Sequence, residues 1–311
     1  MEQMKKIPYG IVSAAGAYML WGILPIYWKL VSEVPAHEIL AHRIFWSFIF
    51  MLCVVIFVNR KKPILTEMRQ VIAEPKKLLA VTMGSMLISL NWFLYIWAVN
   101  SDRVIETSLG YYINPLFSVL LAVIVLKERL SYWQIIAVFL AMIGVLNMTV
   151  HFGAIPWVAL LLAVTFGLYG LCKKMANITA ITSITLETLV MTPFAFLYLV
   201  YVNVQGAGYL LDFSGTSGFL IGTGIVTAVP LLLFAHGANK LSLTVLGFIQ
   251  YLSPTIALML GIFLYHEPFT KIHLVSFGFI WVALGLFSLS KTELFMQIES
   301  LVLRKLAAPS R

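Results

Sequence analysis

The sequence predicts an all-α membrane protein with ten transmembrane helices in two inverted five-helix repeats. Three observations predict it: an apolar composition that never lapses, apolar runs of spanning length, and a motif that returns at a fixed offset. Of the 311 residues, 61% are hydrophobic and only 11% charged, whereas a soluble domain carries about 25% charged residues. Mean hydropathy is +0.95, and the apolar residues are spread along the whole chain, so lipid is the natural solvent for most of its surface. The formal net charge is +8, but the basic residues sit in short gaps between apolar runs. That placement suits an anionic membrane surface and offers nucleic acid no continuous face.

A helix needs roughly 20 mostly apolar residues to cross the hydrocarbon core. The first such run, 9–28, is too long for the core of a signal peptide. It carries Trp21 and Pro25 and ends in Lys29 without a small-residue cleavage site, so it is expected to stay as the first span. The second run, 37–58, opens on a cluster of ionisable residues and is followed by a long basic loop at 59–77. Runs at 78–98, 105–126 and 132–151 complete a first set of five. A second set follows at 156–172, 183–203, 218–236, 244–265 and 272–290, its first member being short. Past Lys291, the residues Leu294, Phe295, Ile298, Leu301 and Val302 recur at helical spacing ahead of Arg304 and Lys305. This tail, 291–311, reads as an amphipathic helix on the inner leaflet or as a solvated tail.

Lysine and arginine orient the array, because basic loops stay cytoplasmic. With the N-terminus inside, the inner segments hold seventeen of these residues and the outer ones three, Lys29, Arg103 and Lys271, while Arg43 lies within a span. Both termini are therefore expected in the cytoplasm, with the chain a multi-pass protein of a bacterial cytoplasmic (inner) membrane.

An internal repeat explains the number of spans. Asn100, Tyr112, Pro115 and Glu128 match Asn239, Tyr251, Pro254 and Glu267, each 139 residues later. Leu109-Gly110 and Leu246-Gly247 also correspond, two residues out of step. Upstream, Leu20-Trp21-Gly22 resembles Leu168-Tyr169-Gly170, and Glu38 resembles Glu187, at offsets of 148 and 149. The halves are taken as 8–148 and 154–290. Five spans is an odd number, so the second half enters the membrane from the opposite side. Inverted repeats of this kind characterise secondary transporters, in which two halves alternate around a central site.

The chain resembles the EamA-type transporters of the drug/metabolite transporter superfamily, and more closely their RarD branch. The resemblance rests on Trp21-Gly22, the run His37-Glu38-Ile39-Leu40-Ala41-His42-Arg43, Asn91-Trp92, and Trp97-Ala98-Val99-Asn100. It continues through Ser108-Leu109-Gly110-Tyr111, Asn114-Pro115, Leu246-Gly247-Phe248, Gln250-Tyr251 and Ile280-Trp281-Val282-Ala283-Leu284. It implies a basket of ten helices around a central cavity, with the fifth and tenth at the periphery. It also implies export or exchange of small metabolites or drugs.

Charges within spans cost about 2.5–3.5 kcal/mol on insertion scales and usually face a bundle interior or a watery cavity. The richest group opens the second span: His37, Glu38, His42 and Arg43. Glu38 and His42 are four apart and share a helix face, within reach of a mutual hydrogen bond. Glu38 and Arg43 lie roughly 140° apart around the helix, so Arg43 is expected to pair with another helix, and Glu106 is its candidate partner. Glu187 holds the place of Glu38 in the second half. These charges read either as structural pairs or as groups that bind substrate or protons. A zinc hydrolase would need histidines four apart on a helix; His37 and His42 are five apart, and neither a metal site nor a cofactor is expected. Cys53 and Cys172 read as free buried thiols.

Tyr18, Trp21, Asn91, Trp92, Tyr95, Tyr111, Asn114, Gln250 and Tyr251 lie within spans near glycines or prolines and form the candidate cavity lining. Pro115 and Pro254 are each expected to free a backbone carbonyl one turn earlier. Glu128, between Lys127 and Arg129, reads as an interfacial salt-bridge residue. No Gly-x-x-x-x-Gly-Lys loop occurs, so the expected function is gradient- or exchange-driven transport of a small organic solute, with protons as a possible coupling ion through Glu38 or Glu106. The rival classes are a non-transporting membrane receptor or assembly subunit, and an intramembrane transferase. The first predicts a stable protein partner, and the second a convergent catalytic set that the second-span cluster alone does not supply.

Overall fold

The computed structural model describes residues 2–57, 61–126, 130–206, 208–209, 215–238, 249–290, 292–293 and 295–299. Every described element is helical: α1 (Glu2–Lys29), α2 (Ala36–Phe57), α3 (Lys61–Ala73), α4 (Pro75–Asn100), α5 (Val104–Leu126), α6 (Tyr132–Phe152), α7 (Trp157–Ala176), α8 (Ala180–Val204), α9 (Gly215–Ala238), α10 (Leu252–Met259) and α11 (Lys271–Leu289). Among the described residues, eight of these are long and apolar enough to cross a membrane: α1, α2, α4, α6, α7, α8, α9 and α11. The helix α5 has 23 residues and takes the place of the fourth expected span. The place of the ninth falls to α10, but residues 239–248 of that span lie outside the described residues.

The long basic loop is not irregular. Most of it folds into α3, whose Ile64, Met68 and Val71 share one face, with Ile64 and Val71 buried. Val71 and Met68 join a small core with Val81 and Leu186, while Thr179 donates to Glu67 at 2.7 Å. A basic segment with one apolar stripe lies down on the bundle because that stripe has no other place to go.

Side-chain ties sort the helix ends into two groups. At one end, Lys29 meets Asp102, Thr216 donates to Glu33, and the Tyr209 N–H donates to Glu38 at 2.8 Å. At the other, Thr179 meets Glu67, Trp133 Nε1 donates to the Phe295 carbonyl at 3.0 Å, and the Tyr132 N–H donates to Glu299 at 2.8 Å. Helices joined by short loops thus run alternately between the two ends. The described start of the tail, 295–299, is helical and rests on the first turn of α6; 300–311 lie outside the described residues.

Packing repeats itself when one set of helices, α1, α2, α4, α5 and α6, is laid against a second, α7, α8, α9, α10 and α11. The pair α1–α9 has its counterpart in α7–α4, the pair α1–α10 in α7–α5, and the pair α2–α9 in α8–α4. The pairs α2–α8, α5–α10 and α6–α11 each join equivalent members of the two sets. Of the eight spanning helices, α6 and α11 bury the least, 28% of their apolar windows, and they pack chiefly on each other. Close approach depends on glycine where these pairs cross. A Cβ on Gly110 would stand 2.8 Å from the Ala159 carbonyl, and one on Gly224 would stand 2.5 Å from the Trp46 carbonyl.

Candidate functional site

Arg43 is the point where both sets of helices meet. It is 4% exposed and stands seven residues into α2, about 10 Å from the helix start. Its Nε donates to Thr227 Oγ1 on α9 at 2.9 Å. Its guanidinium carbon lies 4.1 Å from the Trp92 ring centre on α4 and 5.0 Å from that of Trp28 on α1. Tyr95 and Tyr111 lie within electrostatic range. The expected pairing with Glu106 is not made. Glu106 caps α7 instead, accepting the Val158 N–H at 3.1 Å, and meets Arg103 at 3.5 Å. A helical wheel gives the face of a side chain but not its partner, and the face of Arg43 is walled by aromatic rings.

The other intramembrane charges separate into two groups. Glu38 and His42 lie side by side, both about 2% exposed, but 3.9 Å apart, beyond hydrogen-bond length. Glu38 is held by the Tyr209 N–H, and His42 Nδ1 accepts from Trp46 Nε1 at 3.3 Å. That leaves His42 Nε2 buried and without a hydrogen-bond partner. His37 packs edge-on against Tyr198. At the opposite end, Glu187 is saturated, accepting from Tyr169 at 2.9 Å, Ser183 at 2.6 Å and Lys173 at 3.2 Å.

The aromatic and amide candidates form clusters. Tyr18 and Trp21 on α1 make a triangle with Phe234 on α9, ring centres 5.2–5.8 Å apart. Tyr95 meets Tyr111, which meets Phe166, which meets Tyr169. The two groups correspond across the repeat: Trp21 matches Tyr169, Tyr18 matches Phe166, and Tyr95 matches Phe234 at the same offsets as above. Asn91 is fully buried and fully employed, donating to the Leu162 carbonyl and Thr165 Oγ1 and accepting from Tyr111. It is a tie between α4, α7 and α5. Tyr251 stacks on Tyr112 at 6.2 Å beside the half-buried Gln250, and Asn114 is half-buried on α5. Pro115 sits inside α5, as expected. Pro254, in contrast, stands in the first turn of α10, where an N–H has no helical partner to lose, and its own carbonyl accepts from Ser108 at 2.7 Å.

Sequence reasoning missed Trp28, Thr227, Phe234, Tyr169 and Lys173. Only Tyr169 and Phe234 had a sequence signal, their alignment with Trp21 and Tyr95. It also passed over the work of Glu267, which reaches from beyond α10 to cap α5 through the Val104 and Ile105 N–H groups. A π turn, Leu260–Leu264, ends α10 and turns the chain toward that helix start. Glu128, Asn239 and Leu246-Gly247-Phe248 lie outside the described residues. Cys172 is half-buried and Cys53 exposed on the outer side of α2, so the buried-thiol expectation fails for Cys53.

Of two clefts that open in the described surface, one is lined by a candidate residue, Glu106. A cleft of about 330 Å³ between α1 and α9 is walled by Leu20, Ile23, Leu24, Tyr27, Val226 and Pro230 among others. A second, of about 270 Å³, lies at the Asp102 end between Glu106, Trp157, Glu267 and His273.

The chain matches the EamA-like transporter family over residues 8–150 and 154–289. It is 46% identical over 285 residues to "Uncharacterized transporter YojE" of Bacillus subtilis (strain 168), covering 91% of this chain and 95% of that protein. It is 41% identical over 284 residues to "Protein RarD" of Escherichia coli (strain K12), with the same coverage. A solved crystal structure superposes with a TM-score of 0.60 over 92% of this chain and 99% of the other, at 15% identity, a likeness of fold alone.

Proposed function

The chain belongs to the EamA-like transporter family, and we propose that it is a secondary active transporter exporting a small organic solute across the cytoplasmic membrane by alternating access. The observation that carries this reading is the paired packing: each major contact made by a helix of one set recurs with its counterpart in the other. All of these contacts join one set to the other, so pseudo-symmetric faces meet between the sets, where a shared site can be opened to either side in turn. Ten crossings, with repeats at 8–148 and 154–290, account for the back-and-forth threading of the helices. The Lys29 and Asp102 end then faces outward, and the end with Glu67, Trp133 and the 291–311 tail faces the cytoplasm, with both termini inside.

Arg43 lies where α1, α2, α4 and α9 converge, with one aromatic cluster on α1 and α9 and the other on α4, α5 and α7. We place the solute there. Proton coupling is better supported at Glu38 and His42 than at Glu106, because Glu106 spends its carboxylate on the α7 start and Arg103, whereas His42 Nε2 is unpartnered 3.9 Å from Glu38. Untargeted metabolite profiling of cells and medium, comparing overexpression, deletion and Trp21→Ala, tests the export reading. A compound that accumulates outside with the intact protein and not with the variant supports it; identical profiles in all three count against it. A Glu38→Gln variant whose transport keeps the same pH dependence removes Glu38 from coupling.

A further inference from the structure

Among the described residues, the donors around Arg43 meet no charged acceptor. Among the described residues its hydrogen bonding is confined to Nε on Thr227, and no carboxylate pairs with it. Trp28, whose ring it covers, is fully buried with Nε1 unpartnered. Ser47, one turn deeper than Arg43 on the same face of α2, is also fully buried with its hydroxyl unpartnered. Buried polar groups in native proteins nearly always find a partner, and these two, Trp28 Nε1 and Ser47 Oγ, on helices that carry or contact Arg43, call for an explanation. Guanidinium and indole N–H groups can only donate, and a hydroxyl can do so. The group that completes such a set has acceptors, carries negative charge and donates nothing.

Resting on the transport reading above, we infer that the transported solute is a monocarboxylate whose carboxylate binds the Arg43 guanidinium and whose apolar body lies along α1 and α9. A planar two-oxygen group meets the free Nη edge bidentately, the geometry in which guanidinium binds most strongly. Arg43 is about 10 Å below the start of α2 and 4% exposed, beyond reach of a lipid headgroup at the surface. The length of the body follows from helix spacing. Trp21 is seven residues from Trp28 on α1, and Phe234 seven from Thr227 on α9, so each pair shares a face two turns apart, about 10 Å. The Tyr18, Trp21 and Phe234 triangle thus lies about 10 Å along both helices from the Arg43 contacts, where it receives an aromatic or aliphatic tail.

The test uses the full-length protein in nanodiscs and a panel of phenyl- and alkyl-substituted carboxylic acids of graded length, beginning with 3-phenylpropanoate, each with its primary amide and its amine analogue. Binding is read by tryptophan fluorescence and by the thermal unfolding midpoint. The acids bind at least about tenfold tighter than their amides and amines, a difference of about 1.4 kcal/mol. Arg43→Gln abolishes that preference, while Arg43→Lys keeps it at lower affinity. Thr227→Val, which leaves the charge in place, weakens the acids several-fold and leaves the amides unchanged, and it serves if Arg43→Gln does not fold. The inference is overturned if no acid binds, if amides or amines bind as well, or if Arg43→Gln keeps the acid preference. Flux of the same panel in proteoliposomes separates the two readings. Protein-dependent flux without preference for acids sinks the carboxylate and keeps the transporter, whereas acid binding without flux of any member sinks the transporter and keeps the site.

Discussion

The carboxylate of Glu267 accepts the backbone N–H of Ile105 at 2.8 Å, and that of Val104 beside it. A residue past the end of α10 therefore caps α5, a helix of the other set, and ties the two halves at the Lys29 end. Glu267→Ala leaves two N–H groups of a buried helix start without an acceptor, and the expected loss is about 1–2 kcal/mol of unfolding free energy. Glu267→Gln keeps one acceptor and loses less. Denaturation in detergent, with both variants beside the parent, checks the order; equal stability of all three contradicts the cap.

Glu267 also sets a pH dependence. Burial pushes its carboxyl above the ordinary glutamate range, against the opposing pull of the Ile105 and Val104 N–H groups, and Asp102 pushes the same way as burial. A raised carboxyl binds protons in the folded state that the unfolded chain has released, so stability falls as pH rises from the ordinary glutamate value through the raised one. The parent is expected to gain thermal midpoint over Glu267→Gln as pH is lowered through that window. Parallel curves would refute the effect.

The eight spanning helices of the described residues were legible in the sequence because length and hydropathy alone decide them, as was the correspondence of Trp21 with Tyr169, which needs only a fixed offset. Partners were not legible. Arg43 was expected on Glu106, yet two aromatic rings and Thr227 hold it, because spacing along one helix fixes direction and leaves the neighbour undetermined. Glu38 was expected to bond His42, but the Tyr209 N–H, 171 residues away, takes the carboxylate. The basic stretch after α2 concealed α3, since charge density masked a stripe of only Ile64, Met68 and Val71.

Asn91 separates structure from site. Its amide ties α4 to α7 through the Leu162 carbonyl and Thr165, so Asn91→Leu is expected to cost about 1 kcal/mol of stability, the scale of an interhelical hydrogen bond in a membrane. Solute selectivity of the protein that remains folded should not change. Altered selectivity at parental stability would return Asn91 to the binding surface.

Gly224 tests the close crossing of α2 and α9 one turn from Thr227. A side chain there meets the Trp46 backbone, which cannot rotate away. Gly224→Ala is expected to lose about 1–3 kcal/mol by overpacking, and Gly224→Val more, with solute affinity falling in step because Thr227 and Arg43 are pushed apart. Thermal midpoints and binding curves measured on the same preparations check both effects.

The central claim is that the chain carries a solute across the membrane without ATP, and counterflow in proteoliposomes tests it most directly. Vesicles loaded with one member of the acid, amide and amine panel are given a trace of the labelled compound outside. Transient label uptake that exceeds equilibrium, needs no nucleotide and disappears in protein-free vesicles is the predicted result. Label that enters no faster than in protein-free vesicles for every member of the panel that binds the protein would contradict the account.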